Sequence, residues 1–354
     1  GDLHPTYKGN VVKAMASAKK GAETVSKSLK KRLGSSQKFL ADMTEAFSAT
    51  VQEVRRLTPT IVEVLIKAPL AVKNFKPGQF YRLQNFDVLA PVVLDTTLAM
   101  EGVALTGAWV DPAQDLISLI VLEMGGSSTV CTLLKPGEPV VLMGPTGEPS
   151  EIPTGETICL IGGGLGNAVL FSIGKAMRLA GNTVIYLAGY KKPQDVFYAC
   201  KIEDAADQVI WATEEGTIQK NRPGDQTLQG NIIKALRGVD LEKFDRFLAI
   251  GSEGMMAAAQ SYLTEQDLKE GAQLIASINA PMQCMMKEIC AQCLQRHVDP
   301  ITGLDFYVYT CATQDQNMKT VDFSHLRQRL KQNSVQEKMT RLWLEKCVKE
   351  LSSL

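Results

Sequence analysis

The chain has 354 residues, of which 45% are hydrophobic and 21% are charged, and its 38 lysines and arginines equal its 38 aspartates and glutamates. This length allows two or three domains, each with a core of its own. Balanced charge creates no field that would attract nucleic acid or an acidic membrane, so neither is expected as a partner. No apolar run is long enough for a transmembrane helix, and eight cysteines without a secretory signal favour a reducing cytoplasm.

The N-terminal segment, residues 1–49, is expected to be a helical linker. The run from Asn10 to Leu33 has apolar residues at helical spacing among lysines, and a Gly-Ser-Ser sequence after it would end the helix. The opening pair Gly1-Asp2, followed by a helix, resembles the last segment of pyridine nucleotide-disulfide oxidoreductases such as the small subunit of glutamate synthase. That resemblance implies that the chain is the C-terminal part of a fused flavoprotein.

Residues 50–153 consist of short β-branched runs that proline and glycine interrupt. Thr60–Ile66 and Asp115–Leu122 are the clearest predicted strands, and Pro77–Phe80 and Met143–Gly147 fall at predicted turns. Strands at such close intervals, with turn residues between them, indicate an antiparallel barrel.

Residues 154–280 alternate between strand and helix, which predicts a doubly wound parallel sheet with helices on both faces. Thr157–Ile161 is a buried strand, Gly162–Gly166 a glycine-rich turn and Asn167–Ala180 a helix. At such a turn, bare backbone N–H groups at the start of a helix can receive a pyrophosphate. The alternative is that these glycines only allow the strand and helix to pack closely.

Residues 281–320 contain four clustered cysteines, and residues 321–354 are predicted to be helices that cover a neighbouring surface. The clustered cysteines are Cys284, Cys290, Cys293 and Cys311. Their C-x5-C-x2-C…C spacing is similar to that of plant-type [2Fe–2S] sites, although plant-type spacing has four residues in the first gap. A four-cysteine zinc site and unliganded structural thiols are the alternatives. The scattered thiols are interpreted as packing residues: Cys131, Cys159, Cys200 and Cys347. His297 has no partner that the sequence identifies, so it is interpreted as a surface residue.

The order of barrel, βαβ domain and cysteine cluster resembles the ferredoxin–NADP reductase superfamily, and within it the electron-transfer subunit of heterodimeric dihydroorotate dehydrogenase. The resemblance rests on Pro77-Gly-Gln-Phe80, on Gly126-Ser-Ser-Thr129, on the Gly162–Gly166 turn and on Gly251-Ser-Glu-Gly-Met-Met256. It implies that the chain binds FAD, a nicotinamide nucleotide and a [2Fe–2S] cluster.

The resemblance also implies a set of cofactor-binding residues. The implied flavin contacts are Gly78, Gln79, Phe80, Arg82, Thr106, Gly126, Ser127, Ser128 and Thr129. The implied nicotinamide contacts are Gly162, Gly163, Gly164, Leu165, Gly166, Asn167, Gly251, Ser252 and Met255. The four clustered cysteines are the implied cluster ligands. Val103 stands where the family has a flavin-binding arginine, and Arg82 either supplies that charge from an adjacent strand or is a solvated surface residue.

The predicted function is therefore an oxidoreductase module that passes electrons between NAD(P)H, FAD and a [2Fe–2S] cluster, without a dominant acid–base residue. Its expected partner is another redox protein or a fused N-terminal flavoprotein domain, and a hetero-oligomer is one expected form of the first case. The choice between NAD and NADP stays open, because Lys191 and Lys192 suit either a 2′-phosphate or a solvated turn. The alternative function is a flavin-free scaffolding or regulatory module with a structural zinc site.

Overall fold

The structure is a computed structural model that describes residues 6–7, 11–29, 37–219, 221–280, 282, 284 and 288–353. It divides into two compact units, Gly1–Ala46 and Phe47–Leu354. The first unit contains helix α1 (Val11–Leu29) and most of α2 (Gln37–Phe47). The Gly1-Asp2 pair lies outside the described residues, so its resemblance to other flavoproteins stays a prediction.

The second unit begins with an antiparallel barrel. Its helices are α3 (Pro69–Asn74) and α4 (Ser127–Val130), and its strands are β1 (Thr50–Thr58), β2 (Ile61–Lys67), β3 (Phe80–Asn85), β4 (Val92–Val93), β5 (Thr96–Thr97), β6 (Val103–Asp111), β7 (Leu116–Leu122) and β8 (Val140–Thr146). Six of these strands form one sheet in the order β1-β2-β7-β6-β3-β8. The two edges meet where the Val51 amide donates to the Glu138 carbonyl at 2.9 Å and the Val51 carbonyl accepts from the Gly137 amide at 2.8 Å. The predicted barrel is confirmed.

A seven-stranded sheet follows the barrel. Its elements are β9 (Thr157–Gly163), α5 (Asn167–Leu179), β10 (Thr183–Tyr190), α6 (Ala199–Asp204), β11 (Gln208–Thr213), β12 (Gln226–Gln229), α7 (Ile232–Leu236), β13 (Arg246–Ile250), α8 (Glu253–Thr264) and β14 (Gln273–Ser277). The strand order is β12-β11-β10-β9-β13-β14, all parallel, and a seventh, antiparallel strand completes the edge beside β14. Two separate apolar cores cover the two faces of the sheet, which explains why β9 and β13 are continuous apolar runs.

The last part of the chain adds elements to both domains. They are β15 (Leu294–Val298), β16 (Asp305–Tyr309), β17 (Asp315–Asn317), α9 (Phe323–Leu330) and α10 (Ser334–Leu351). Strand β17 is the antiparallel edge strand beside β14, and β15 and β16 form a hairpin. Helix α10 places Leu344 and Cys347 in the barrel core, so the tail covers a neighbour as predicted. No helix among the described residues is both long and apolar enough to cross a bilayer.

A fully buried carboxylate joins the barrel to the parallel-sheet domain. Glu63 on β2 accepts hydrogen bonds from Ser118 Oγ at 2.6 Å and Trp109 Nε1 at 3.1 Å within the barrel. It also accepts one from the Tyr198 hydroxyl, immediately before α6, and Arg55 lies 3.7 Å away. A buried carboxylate is tolerated only when it is paired and hydrogen-bonded, so this cluster fixes the position of the two domains relative to each other.

Candidate functional site

The glycine-rich turn lies where the sequence predicts it, between β9 and α5. Gly164 has a φ of +54°, a conformation that favours glycine. The buried Asn167 side chain holds the turn, because its Nδ2 donates to the Gly164 carbonyl at 2.9 Å and its Oδ1 accepts from the Tyr186 hydroxyl at 3.0 Å. A Cβ on Gly162 would lie 2.1 Å from Asn167 Oδ1. Gly162 therefore makes room for the side chain that orders the turn.

A second turn, after β13, lies directly against the first. Ser252 caps α8 by accepting a hydrogen bond from the Met255 amide at 3.2 Å. A Cβ on Gly163 would lie 2.4 Å from Met255 Sδ, and a Cβ on Gly166 would lie 2.4 Å from the Ile250 carbonyl oxygen. The glycines thus allow the ends of two neighbouring strands to approach each other.

These two turns mark a topological switch point of the parallel sheet. From β9 the chain continues through α5 to β10 on one side, while β13 lies on the other side of β9. Ligands of doubly wound sheets bind in the crevice at the carboxyl ends of such strands. The predicted nicotinamide residues at the two turns therefore lie together at the edge where a dinucleotide is expected.

One of the two lysines that follow β10 forms an ion pair. Lys192 Nζ lies 3.2 Å from a Glu215 carboxylate oxygen, and both side chains are exposed. The Glu215 amide donates to the Lys191 carbonyl at 3.0 Å, which fixes this glutamate beside the lysine pair. One of the two lysines considered for a 2′-phosphate is thus already paired with a carboxylate.

The turn at Gly78-Gln79 is tied to the turn that ends β8. Gln79 Nε2 donates to the Gly147 carbonyl at 2.9 Å, and its Oε1 accepts from the Lys76 amide at 3.0 Å. Gly78 has a φ of +90°, and a Cβ there would lie 2.3 Å from Ser150 Oγ. The Gln79 side chain therefore links two barrel turns through hydrogen bonds.

Arg82 and Thr106 lie on the same outer face of the barrel sheet. Strand pairing places Phe80 opposite Thr106 and Arg82 opposite Ala104, and residues two apart on β3 share a face. Arg82 Nε is screened from solvent and has no hydrogen-bond partner within the described part of the chain. Only Nε is screened, so the outer end of this half-buried guanidinium is open to an anionic ligand such as the pyrophosphate of FAD.

In the segment Gly126–Thr129, Gly126 precedes α4 and the other three residues begin it. Ser128 Oγ donates to the Gly125 carbonyl at 2.7 Å and accepts from the Met124 amide at 3.1 Å. Helix α10 packs on this loop, since a Cβ on Gly125 would lie 2.9 Å from Arg341 Cβ. Sequence reasoning predicted that the tail covers a neighbour but did not identify the loop at Gly125 as part of that neighbour.

Two of the four clustered cysteines are buried against the barrel. Cys293 and Cys311 are both 1% exposed and pack on Phe80. Burial, together with a hydrogen bond that the Cys311 thiol donates to Cys293, raises the pKa of Cys311 to about 12. Cys284 interacts electrostatically with Cys311, whereas Cys290 is half-buried and accepts a hydrogen bond from the Gln292 amide at 3.4 Å.

The four-cysteine ligand set stays a prediction. Within the described residues, no group of three or more cysteine, histidine, aspartate and glutamate side chains is arranged to hold a metal ion. Residues 285–287, between the first two cysteines, are outside the described part. The structure brings together Cys293 and Cys311, with Cys284 near Cys311.

Sequence reasoning was wrong about two residues near these sites. His297 was treated as a surface residue, but it is 1% exposed, and its Nδ1 and Nε2 atoms lie 2.8 Å from Thr320 Oγ1 and Gln316 Oε1. It lies on the buried side of β15 with Gln295, and the polar sequence of this strand gave no signal of that burial. Cys200, interpreted as a packing residue, is exposed.

Comparison with solved structures defines the class of protein. The fold matches that of an NADH-dependent reduced ferredoxin–NADP oxidoreductase with a TM-score of 0.69 and 22% sequence identity, over 83% of this chain and 96% of that chain. The chain therefore has the ferredoxin–NADP reductase fold, as its sequence predicts. No protein-family model matches the sequence.

Comparison with curated proteins gives more specific relatives. An uncharacterized protein of Rickettsia prowazekii is 34% identical over 347 residues, which are 96% of this chain and 40% of that protein, so the chain spans two fifths of this relative. A homolog of the dihydroorotate dehydrogenase B (NAD(+)) electron-transfer subunit from Thermotoga maritima is 26% identical over 298 residues, or 83% of this chain and 94% of that protein. The chain is thus similar over most of its length to such an electron-transfer subunit, and its predicted resemblance to these subunits is confirmed.

Proposed function

We propose that this chain is an oxidoreductase module that passes electrons between NAD(P)H, FAD and a [2Fe–2S] cluster, to or from a partner redox centre. The proposed flavin, nicotinamide and cluster residues are those that the sequence predicts, with Arg82 as the cation for the flavin pyrophosphate. The relatives that are named as electron-transfer subunits, and the fold shared with a ferredoxin–NADP oxidoreductase, support this function.

The observation that carries the proposal is the path of strand β6. Near its start, Ala104 packs against Phe80, Cys293 and Cys311. Thr106 follows on the face that Arg82 shares, and Ala108 belongs to the apolar core between the barrel and α5. One strand therefore runs from the two buried cysteines, past the face that Arg82 and Thr106 share, to the core that α5 covers. This sequence of positions supports an order of cluster, flavin and nicotinamide.

The residues of this chain bind and orient, and the cofactors supply the redox chemistry. FAD, when bound, exchanges a hydride's electron pair for single electrons. The Gly162–Gly166 turn would hold the dinucleotide pyrophosphate with backbone N–H groups, and Met255 fills the space beside it. Arg82 would neutralise the flavin pyrophosphate, and Cys293 and Cys311 would ligate the cluster next to Phe80.

The proposed partner is a separate redox protein or a further domain of a longer chain, in a hetero-oligomer. The Thermotoga relative is described as a subunit, and the Rickettsia relative extends well beyond the matched region. The cytoplasm is the compartment we propose, because eight cysteines suit a reducing environment.

The proposal is tested by the visible absorption spectrum and the metal content of protein purified without air. We expect flavin absorption near roughly 450 nm, thiolate-to-iron bands and two irons per chain, as flavin and [2Fe–2S] chemistry require. Cys311→Ser should lose the iron bands and keep the flavin, while Cys200→Ser, at an exposed thiol outside the cluster, should keep both. Zinc in place of iron, with no flavin, would instead support the scaffolding function.

A further inference from the structure

The side chain of Arg82 runs across the backbone of Gly102. An ideal Cβ on Gly102 would lie 1.7 Å from Arg82 Nε, 2.4 Å from Cζ and 2.6 Å from Nη2. These distances are far shorter than any contact between atoms that are not bonded. The guanidinium therefore occupies the space that a side chain at position 102 would fill.

Strand register explains why these two residues meet. Arg82 pairs with Ala104 across β3 and β6, and Leu83 pairs with Val103. Continuing this register places Gly102 opposite Gln84, on the same outer face as Arg82 and Ala104. The arginine side chain therefore extends diagonally from β3 and covers Gly102, the residue that precedes β6.

Position 102 requires glycine because the Arg82 side chain occupies the space of a Cβ, and not because the backbone has a conformation that only glycine adopts. Its φ lies outside the left-handed region, so an alanine could adopt the same backbone without strain. The atoms that the new Cβ would meet belong to the far end of a flexible side chain. An alanine at 102 would therefore displace the guanidinium and leave the barrel backbone in place.

We propose that Gly102 is a positioning residue of the flavin site, because the missing side chain lets the Arg82 guanidinium lie over the barrel face as the cation for the FAD pyrophosphate. This inference rests on the proposed function. It assigns a role to a glycine on the neighbouring segment, since the screened Arg82 Nε packs over Gly102 and the outer end of the guanidinium stays free to meet a phosphate. It also explains how a barrel with Val103 in the place of a flavin-binding arginine would still present one.

The test measures FAD affinity of flavin-depleted protein by fluorescence titration, for the wild type and for Gly102→Ala, Arg82→Ala and the double variant. Loss of one charge-assisted hydrogen bond should weaken FAD roughly ten-fold or more in either single variant. If Gly102 acts through Arg82, the double variant should bind FAD no more weakly than Arg82→Ala does. Circular dichroism should show the same fold in all four proteins.

Three outcomes separate the inference from the function on which it rests. FAD that does not bind the wild type would overturn both. Wild-type affinity in Gly102→Ala, together with weakened binding in Arg82→Ala, would overturn the positioning role and leave the flavin site intact. Additive losses in the double variant would show that Gly102 acts independently of Arg82, and would also overturn the inference.

Discussion

The chain presents two places for a pyrophosphate, and they are built in different ways. At the β9–α5 turn the groups that would bind are backbone amides, ordered by Asn167 and by the contact between Gly166 and the Ile250 carbonyl. On the barrel face the group is one side chain, Arg82, which lies in the space left by Gly102. The first site needs a strand, a turn and a helix in sequence, whereas the second needs two strands in the correct register.

This difference determines how each site should respond to mutation. Backbone amides cannot be deleted, so the β9–α5 turn can be damaged only by adding atoms that distort it. A side-chain cation can be removed by one substitution that leaves the backbone unchanged. We therefore expect changes at the turn to affect stability and binding together, and changes at Arg82 to affect binding alone.

The largest effect is expected for Gly166→Val. Its Cβ would lie 2.4 Å from the Ile250 carbonyl oxygen, so two backbone segments must separate, at a cost of about 1–3 kcal/mol or more of unfolding free energy. Hydride transfer from the nicotinamide nucleotide to flavin should be abolished, while the colour of the cluster is retained. Urea unfolding and anaerobic stopped-flow reduction measure the two effects.

Gly164→Val is the matched variant in the same turn. A Cβ on Gly164 meets no atom of the described residues within 4 Å, so its cost is the strain of a φ of +54°, about 1–2 kcal/mol. This Cβ should still obstruct the pyrophosphate and abolish nucleotide-dependent reduction. Unchanged turnover in either glycine variant would mean that the turn serves only packing.

A smaller and more selective effect is expected for Arg82→Ala. A charge-assisted hydrogen bond to a phosphate is worth roughly 1.5–3 kcal/mol, so FAD should bind about ten-fold or more weakly. Lys135→Ala is the control, because Lys135 is exposed at a barrel turn, where loss of a charge costs little. Isothermal titration with FAD compares the two, and equal affinity would remove Arg82 from the flavin site.

The smallest effect is expected for Glu215→Gln, at the edge of the nucleotide crevice. The change releases Lys192 from an exposed ion pair of the kind worth about 0.2–1 kcal/mol, so affinity for NADPH should rise by about two- to five-fold relative to NADH. Glu270→Gln, at an exposed glutamate before β14 and hence near the opposite edge of the sheet, should leave the ratio unchanged. A lower NADPH preference in Glu215→Gln would mean that Lys192 does not face the 2′-position.

The cysteine region shows where sequence reasoning reached its limit. The spacing predicted four ligands of one centre, and the structure buries Cys293 and Cys311 together against Phe80. Cys290 is half-buried and accepts a bond from its own loop. The β15–β16 hairpin brings Cys293 and Cys311 together, because Leu294 pairs with Tyr309 and the Thr310 amide donates to the Cys293 carbonyl at 3.1 Å. Cysteine spacing alone does not encode this strand pairing, and ligand geometry at a metal site is also coupled to binding of the metal itself.

The sequence by itself determined the domain order, the antiparallel barrel, the parallel sheet and the glycine-rich turn, because these follow from local periodicity and from glycine conformation. The tertiary structure decided which residues meet across distant segments. It placed the Arg82 guanidinium over Gly102, the Tyr198 hydroxyl against the Glu63 carboxylate and α10 on the loop at Gly125. Such contacts depend on strand register and domain packing, which no local pattern encodes.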